Sequence, residues 1–150
     1  IRFPNKLEFE VRVDEKFKTC EIPSLIVQPF VENAIIHGFK NRKRLFRISV
    51  ASREAPPGWW FTLEVRDNGA GFPPEVLRSL KEGRPLEETE RSRLGIGNVI
   101  HRLKLHFNGK AAIEFDNAEE GGAMVRLHFP EPAAESGGAD GGHHVQHSGR

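Results

Sequence analysis

Hydrophobic and charged residues alternate strictly in several short stretches of this chain. In the first of them, residues 7–13, every second position is Leu, Phe or Val and the positions between are Glu or Arg. This is the pattern of a strand with one buried and one solvated face. Counting this one, alternation of this kind predicts five strands, over residues 7–13, 46–50, 61–65, 111–115 and 125–129.

Two longer stretches have helical character. Residues 23–37 are apolar on nearly all sides and are closed by Gly38, so we expect a helix that is covered on both faces. Pro29 lies inside this stretch and should kink the helix or mark its real start. The second helix, from about Gly97 to Phe107, has its apolar residues at helical spacing: Ile96, Val99, Ile100, Leu103 and Phe107.

The order of these elements is strand, helix, strand, strand, helix, strand, strand. It predicts an α/β (α+β) two-layer sandwich, in which a mixed, mostly antiparallel sheet of about five strands carries its helices on one face. This domain should span residues 1–130. Residues 131–150 contain five Gly and a single large aliphatic residue, so we expect a flexible tail whose three histidines do not form a metal site.

One connection is longer than such a fold needs. Residues 73–94 contain charged residues, Pro and Gly, and only one short helical candidate, over residues 74–81. Long loops within compact domains are usually functional, often as lids. We therefore expect a mobile flap over a bound ligand.

Composition and charge exclude several classes of function. The 150 residues are 37% hydrophobic and 29% charged, as in soluble globular domains. With 22 basic and 21 acidic residues the chain has no net field that would favour nucleic acid, so no nucleic-acid partner is expected. No window approaches the roughly 18 apolar residues of a membrane span. The single Cys20 fits a reducing, cytoplasmic compartment. Because the chain begins with Ile, we expect a piece of a longer parent protein, which upstream segments could anchor in a membrane.

A polar pair, Glu32-Asn33, lies within the otherwise apolar first helix, and the side-chain amide of Asn33 is the candidate metal ligand. An amide oxygen on a buried helix suits Mg²⁺, which keeps several waters and takes its other oxygens from phosphates. His37 lies four residues after Asn33 and would share its helix face. Taken alone, such an Asn is more often a structural residue bonded to backbone.

A second candidate segment, Asp67-Asn68-Gly69-Ala70-Gly71, follows a predicted strand. By itself Asp-Asn-Gly favours a two-residue hairpin turn. No alternating strand follows it here, however, and two glycines at this spacing allow positive φ and let a flat base approach the backbone. The Asp67 carboxylate can accept a hydrogen bond from an exocyclic amine, which adenine has. This favours ATP over GTP.

The third candidate segment is Gly95-Ile96-Gly97-Asn98, which introduces the second predicted helix. Free backbone amides at the start of a helix, at Asn98 and beyond, could bind phosphate oxygens. A Gly-x-Gly before a helix is common, so its position after the long loop is what makes it informative.

These residues together resemble the ATP-binding catalytic domain of sensor histidine kinases, in the superfamily that includes gyrase, the large heat-shock chaperones and mismatch-repair ATPases. Residues 22–38 resemble the N box of the LytS-like subgroup, residues 67–71 the first glycine box and residues 95–103 the second. The resemblance implies a Bergerat-type fold over about residues 7–129. It also implies a lid at residues 73–94.

By this resemblance ATP and Mg²⁺ are the cofactors. Glu32 and Asn33 would be the catalytic residues, with Asn33 ligating Mg²⁺, and Asp67 would recognise adenine. The nucleotide would be bound by Asn33, His37, Asp67, Gly69, Gly71, Gly95, Gly97 and Asn98.

The activity implied is that of a protein-histidine kinase, which transfers the γ-phosphoryl group of ATP to a histidine on a separate dimerisation domain. Its partners would be that domain of the same parent protein, which is not in this chain, a downstream response regulator, and a second copy in a homodimeric parent. Two alternatives stay open. They are an anti-sigma-factor-type serine kinase and a non-catalytic ATP-binding regulatory module of the same superfamily.

Overall fold

The computed structural model describes residues 2–3, 7–15, 27–38, 45–84 and 94–132. Three predictions lie wholly or partly outside these ranges. They concern the beginning of the first predicted helix, the second half of the long loop, and the tail with its three histidines.

The described strands form one sheet of six, in the order β1-β2-β3-β4-β6-β5. Only β2 and β3 are parallel, and every other neighbouring pair is antiparallel. The mixed, mostly antiparallel sheet is therefore confirmed, with a two-residue strand added at one edge. The strand bounds are Arg2–Phe3 (β1), Leu7–Arg12 (β2), Phe46–Arg53 (β3), Phe61–Asp67 (β4), Ala112–Asn117 (β5) and Ala123–Phe129 (β6).

In the part of the chain that the structure describes, three α-helices connect the strands. They are α1 (Gln28–Asn33), which continues into a π-helical turn over Ala34–Gly38, α2 (Pro74–Glu82) and α3 (Leu94–His106). Pro29 stands in the first turn of α1, where its missing N–H costs no hydrogen bond. The prediction that this proline marks the helix start is confirmed, as is the stop at Gly38.

The helices cover one face of the sheet, as predicted. Alternate residues of β3, β4, β6 and β5 meet the apolar sides of the helices in one main core, with a smaller second cluster at the start of β3, because successive side chains of a strand point to opposite faces. Residues with almost no exposed surface at the centre of this core are Phe61, Ile96, Val99 and Leu127.

One prediction about helix environment is wrong. The first predicted helix is not covered all round, because Ile35 and Ile36 are 40% and 61% exposed. The short helix predicted over residues 74–81 is confirmed as α2. Its Val76 and Leu80 are buried in the main core, and it ends in a left-handed Gly83.

The other face of the sheet is polar, yet three of its side chains are buried. Thr62, Glu64 and His128 are only 1%, 3% and 3% exposed. Glu64 accepts hydrogen bonds from two arginines, Arg53 at 3.2 Å and Arg126 at 3.0 Å. Longer polar side chains thus cover shorter ones, which pairs each buried polar group with a partner.

His128 is held in the same layer by two polar neighbours. Its Nδ1 lies 2.7 Å from the Thr62 hydroxyl and its Nε2 lies 3.1 Å from a carboxylate oxygen of Glu114. The indole of Trp59 lies over the imidazole, with the ring centroids 5.6 Å apart. The described part of the chain contains no helix long and apolar enough to cross a membrane.

Candidate functional site

One end of the sheet brings together the ends of four strands. Asp67 ends β4, pairs with Ile48 near the start of β3, and lies beside the start of β6. Asn117 ends β5 and pairs with Ala123, which starts β6. In an antiparallel pair the end of one strand lies beside the start of the other, so strand register alone places these residues at the same end of the sheet.

Asp67 supplies a buried carboxylate at this end of the sheet. It is 6% exposed, and its Oδ1 accepts hydrogen bonds from the amides of Gly69 at 2.8 Å and Ala123 at 3.3 Å. Burial raises the pKa of Asp67 above its ordinary value of 3.8, and the two amide hydrogen bonds oppose that rise. Both bonds go to the same oxygen, so among the described residues Oδ2 keeps its capacity to accept a hydrogen bond.

The glycine turn after Asp67 is tight at its second glycine. Gly71 has φ +76°, whereas Gly69 does not have a positive φ. A Cβ on Gly71 would lie 2.8 Å from Oδ1 of Asn117. Of the two glycines that allow a positive φ, only Gly71 therefore adopts one, whereas Gly69 contributes the amide that it donates to Asp67.

Side-chain amides hold both ends of this turn. Asn68 accepts a hydrogen bond from the amide of Arg47 at 2.7 Å and donates one to the carbonyl of Leu45 at 3.0 Å. Asn117 accepts from the amide of Phe72 at 2.8 Å and donates to the carbonyl of the same residue at 2.9 Å. The turn is thereby tied to β3 on one side and to β5 on the other.

A second glycine packs closely against the start of the turn. Gly122, in the β5–β6 hairpin, has φ +98°, and a Cβ there would lie 1.9 Å from the carbonyl oxygen of Asp67. No side chain fits between these two backbone segments. The close approach of the hairpin is what brings the amide of Ala123 within reach of the Asp67 carboxylate.

Asn33 is the last residue of α1 and is buried, at 8% exposure. The neighbouring Ala34 packs against Phe46 and Ile48 at the start of β3, which puts this helix end beside the strand that pairs with Asp67. The buried amide expected from the sequence is thus present near the end of the sheet at which Asp67 lies.

The other polar residues of this segment have different surroundings. Glu32 is exposed and accepts a hydrogen bond from Gln28 at 2.9 Å. His37 is half-buried within the π-helical turn. Hydrogen bonds there run from residue i to i+5, so the shared face predicted for Asn33 and His37 from α-helical spacing does not carry over directly.

The third segment is already helical. We expected Gly95 and Gly97 to precede the helix, but α3 begins at Leu94, so both glycines lie in its first turn. The amides without a helical acceptor at this end include those of Gly95 and Ile96, whereas that of Asn98 lies within the helix. Gly95, Gly97 and Asn98 are nevertheless exposed.

Contacts between the helices and the sheet bring the three segments together. A Cβ on Gly95 would lie 3.5 Å from Cβ of Pro29, so the first turns of α3 and α1 touch. The rings of Phe30 and Phe72 both pack on Phe115, with centroid distances of 6.4 and 6.0 Å. The N-box helix and the first glycine turn therefore share one aromatic contact residue.

Three residues that shape this site escaped the sequence reasoning: Asn117, Gly122 and Ala123. Asn68 lay within a candidate segment, but its hydrogen bonds to residues 45 and 47 were not predicted. Gly121-Gly122 between two strands was a visible signal for a strained hairpin. Asn117 had no comparable signal, because its partner Phe72 is 45 residues away.

Comparison with known proteins gives a consistent result. The profile of the family described as histidine kinase-, DNA gyrase B-, and HSP90-like ATPase matches residues 21–133. The chain is 29% identical to the sensor protein LytS of Bacillus subtilis over 136 residues and 36% identical to the sensor histidine kinase YpdA of Escherichia coli over 104 residues. These alignments cover 91% and 69% of this chain but only 22% and 17% of the relatives.

Solved structures agree on the fold. The catalytic domain of the histidine kinase ThkA, in a nucleotide-free form, superposes with a TM-score of 0.56 at 18% identity, covering 83% of this chain and 80% of that one. The Acinetobacter baumannii histidine kinase AdeS gives a TM-score of 0.54 at 16% identity, over 86% of this chain and 56% of that one. With this fold, and with a profile match over most of its length, the chain belongs to the family of histidine kinase-, DNA gyrase B- and HSP90-like ATPases, and its relatives named here are sensor proteins and sensor histidine kinases.

Proposed function

We propose that this chain is the ATP-binding catalytic domain of a sensor histidine kinase. Its role would be to present the γ-phosphoryl group of ATP to a histidine on a dimerisation domain of the same parent protein. The observation that carries the proposal is the buried Asp67 carboxylate, anchored through Oδ1 with Oδ2 left to accept from a base. The relatives named above favour a histidine kinase over the serine kinase or a non-catalytic module.

Adenine is the base that this carboxylate suits. An ionised carboxylate only accepts hydrogen bonds, adenine offers an exocyclic amine, and guanine offers an oxygen at the equivalent position. The absence of a side chain at Gly71 leaves room for the Asn117 carboxamide, which holds the turn. We therefore assign base recognition to Asp67, with Gly69 and Gly71 shaping the turn.

Mg²⁺ and the phosphates would lie towards α1 and α3. Asn33 supplies a buried amide of the type that suits a single protein ligand for Mg²⁺. The ion, when bound, supplies charge neutralisation to the phosphates. We assign Glu32 and His37 to the neighbourhood of the phosphates, and the exposed first turn of α3 to direct phosphate contact through its amides.

The partners follow from this role. Phosphoryl transfer of this type depends on positioning and charge neutralisation. We assign the acceptor histidine to another domain of the parent protein, which has to bring it to the site. We propose that this domain is cytoplasmic and that its parent protein is a homodimer that passes the phosphoryl group to a response regulator. This chain would then bind ATP without phosphorylating itself, and an acid-labile phosphate on the chain after incubation with labelled ATP would contradict that.

Calorimetric titration with Mg²⁺ and a non-hydrolysable ATP analogue tests the proposal. We expect wild-type binding, strongly weakened affinity in Asp67→Asn, and loss of the metal dependence in Asn33→Ala. Glu119→Gln is the control, since it makes the same change from carboxylate to amide at an exposed residue of the β5–β6 hairpin. Unchanged titrations in both site variants would overturn the assignment.

A further inference from the structure

Asn117 forms a closed pair of hydrogen bonds with one distant residue. Its side-chain oxygen accepts from the amide of Phe72 and its side-chain nitrogen donates to the carbonyl of Phe72, at 2.8 and 2.9 Å. The carboxamide thus takes the place of a neighbouring strand for a single residue of the loop. Both partners are largely shielded from water, since Phe72 is 3% exposed and Asn117 is half-buried.

The shape of the turn is matched to this carboxamide. A Cβ on Gly71 would lie 2.8 Å from Oδ1 and 3.0 Å from Cγ of Asn117. Any side chain at position 71 would therefore displace Asn117 as well as strain the positive φ. The glycine leaves room for the carboxamide as much as it leaves room for a ligand.

The same cross-strand pair holds both ends of the turn. Asn117 lies directly opposite Ala123 in the β5–β6 ladder. Ala123 donates its amide to the carboxylate of Asp67, where the turn begins, and Asn117 binds Phe72, where it ends. Movement of the turn relative to the sheet must break one of these two anchors.

We propose that Asn117 is a positioning residue for base recognition. It holds the far end of the turn so that the free oxygen of Asp67 meets the exocyclic amine of adenine in a fixed direction. This inference rests on the proposed function, and it names a residue that determines the discrimination between a 6-amino and a 6-oxo purine. Asn117 itself does not touch the base in this account.

The test compares two ligands and three variants of the full chain. Affinities for the Mg²⁺ complexes of non-hydrolysable ATP and of the matching inosine triphosphate analogue are measured by calorimetry for wild type, Asn117→Ala, Asn117→Asp and Glu119→Gln. Glu119 is the control, an exposed residue of the same hairpin. We expect Asn117→Ala to lower the preference for the ATP analogue by about tenfold, the scale of one hydrogen bond to a charged group, and Glu119→Gln to leave it unchanged.

Asn117→Asp provides partial rescue. Its carboxylate still accepts from the amide of Phe72 but can no longer donate to the carbonyl, so its preference should fall between those of wild type and Asn117→Ala. Hydrogen exchange on the ligand-free proteins gives a second readout. The Phe72 amide should exchange faster in Asn117→Ala, whereas amides in the middle of β4 should not, and this separates a local release from general loosening.

The outcomes separate this inference from the proposed function. Wild-type protein that binds neither nucleotide, or both equally, overturns both. Wild-type preference that persists undiminished in Asn117→Ala, or in Asn117→Asp if the alanine variant does not fold, overturns only the role of Asn117. A reduced preference together with faster exchange at Phe72 supports it.

Discussion

Gly122 lies so close to Asp67 that a Cβ at position 122 would be 1.9 Å from the carbonyl oxygen of residue 67. The β5–β6 hairpin and the first glycine turn are therefore packed backbone against backbone. The anchor of the Asp67 carboxylate, the amide of Ala123, is the next residue along this hairpin. Stability and the geometry of the site are coupled at this contact.

Replacing Gly122 by Ala should be strongly destabilising. The variant must move one of two paired backbones as well as adopt an unfavourable φ, so we expect the free energy of unfolding to fall by about 3 kcal/mol or more. Gly121→Ala is the matched control. Gly121 has nearly the same φ, +102°, but its nearest neighbour would be 3.8 Å away, so only the strain of about 1 kcal/mol applies. Urea denaturation of both variants measures the difference, and equal losses would contradict the close packing.

Asp67→Asn should change how the free energy of unfolding depends on pH. Burial raises the pKa of this carboxyl above 3.8 in the folded state. As the pH rises from 3.8 to the folded pKa, the unfolded chain loses the proton first, so ionisation favours unfolding across this window. The free energy of unfolding of the wild type, taken relative to that of Asp67→Asn, should therefore fall as the pH rises through this window. Above the window the difference should stay at its lower value.

Denaturant titrations of both proteins between pH 3.5 and pH 7, without nucleotide, check this expectation. The same variant should bind the ATP analogue less tightly, since its amide directs a donor at the donor of adenine. A wild-type stability that rises relative to Asp67→Asn with increasing pH would show that the two amide hydrogen bonds outweigh burial.

The two arginines that share Glu64 should compensate for each other. Glu64 is almost fully buried, with a 4% exposed side chain, whereas Arg53 and Arg126 are 52% and 42% exposed. Arg53→Met and Arg126→Met should each cost about 1 kcal/mol, because one cation remains. The double variant should lose about 3 kcal/mol or more, because a buried carboxylate is then left without a cation.

A double-mutant cycle from denaturant unfolding measures this coupling. Arg66→Met serves as the control, since Arg66 pairs with Glu120, whose side chain is 83% exposed. Strict additivity of Arg53→Met and Arg126→Met would mean that Glu64 is hydrated in solution.

Leu127→Ala should destabilise the core without altering the chemistry of the site. Leu127 has no exposed surface and lies on the helix-covered face of β6, so the cavity should cost about 2–5 kcal/mol. Leu105, which is 66% exposed on α3, offers the same substitution at the surface, and its loss should stay within about 0.5 kcal/mol. Thermal unfolding of the pair tests the assignment of the buried face, and similar losses at both positions would contradict it.

The periodicity of the sequence was sufficient to predict five of the six described strands and the buried face of α3, and the order of the elements was sufficient to predict the mixed sheet. Residues such as Val99 and Leu103 repeat at the spacing of their own element, and burial of that repeat is a local consequence of helix geometry. The candidate site residues Asn33 and Asp67 were also recognisable, because Asn33 is a polar residue within an otherwise apolar predicted helix and Asp67 follows a predicted strand. Their roles in binding stay predictions.

Only the tertiary structure decided how those residues are held. Asn117 reaches Phe72 across 45 residues, and Ala123 reaches Asp67 across 56. Neither contact leaves a trace in local spacing, because register and strand order determine which ends of the sheet meet. The same reason explains why Gly95 was wrongly placed before the helix. Its local sequence fits a loop as well as a first helical turn, and its neighbour Pro29 is distant in the chain. A sequence period determines which side of an element is buried, whereas the identity of its neighbour is a property of the whole packed chain.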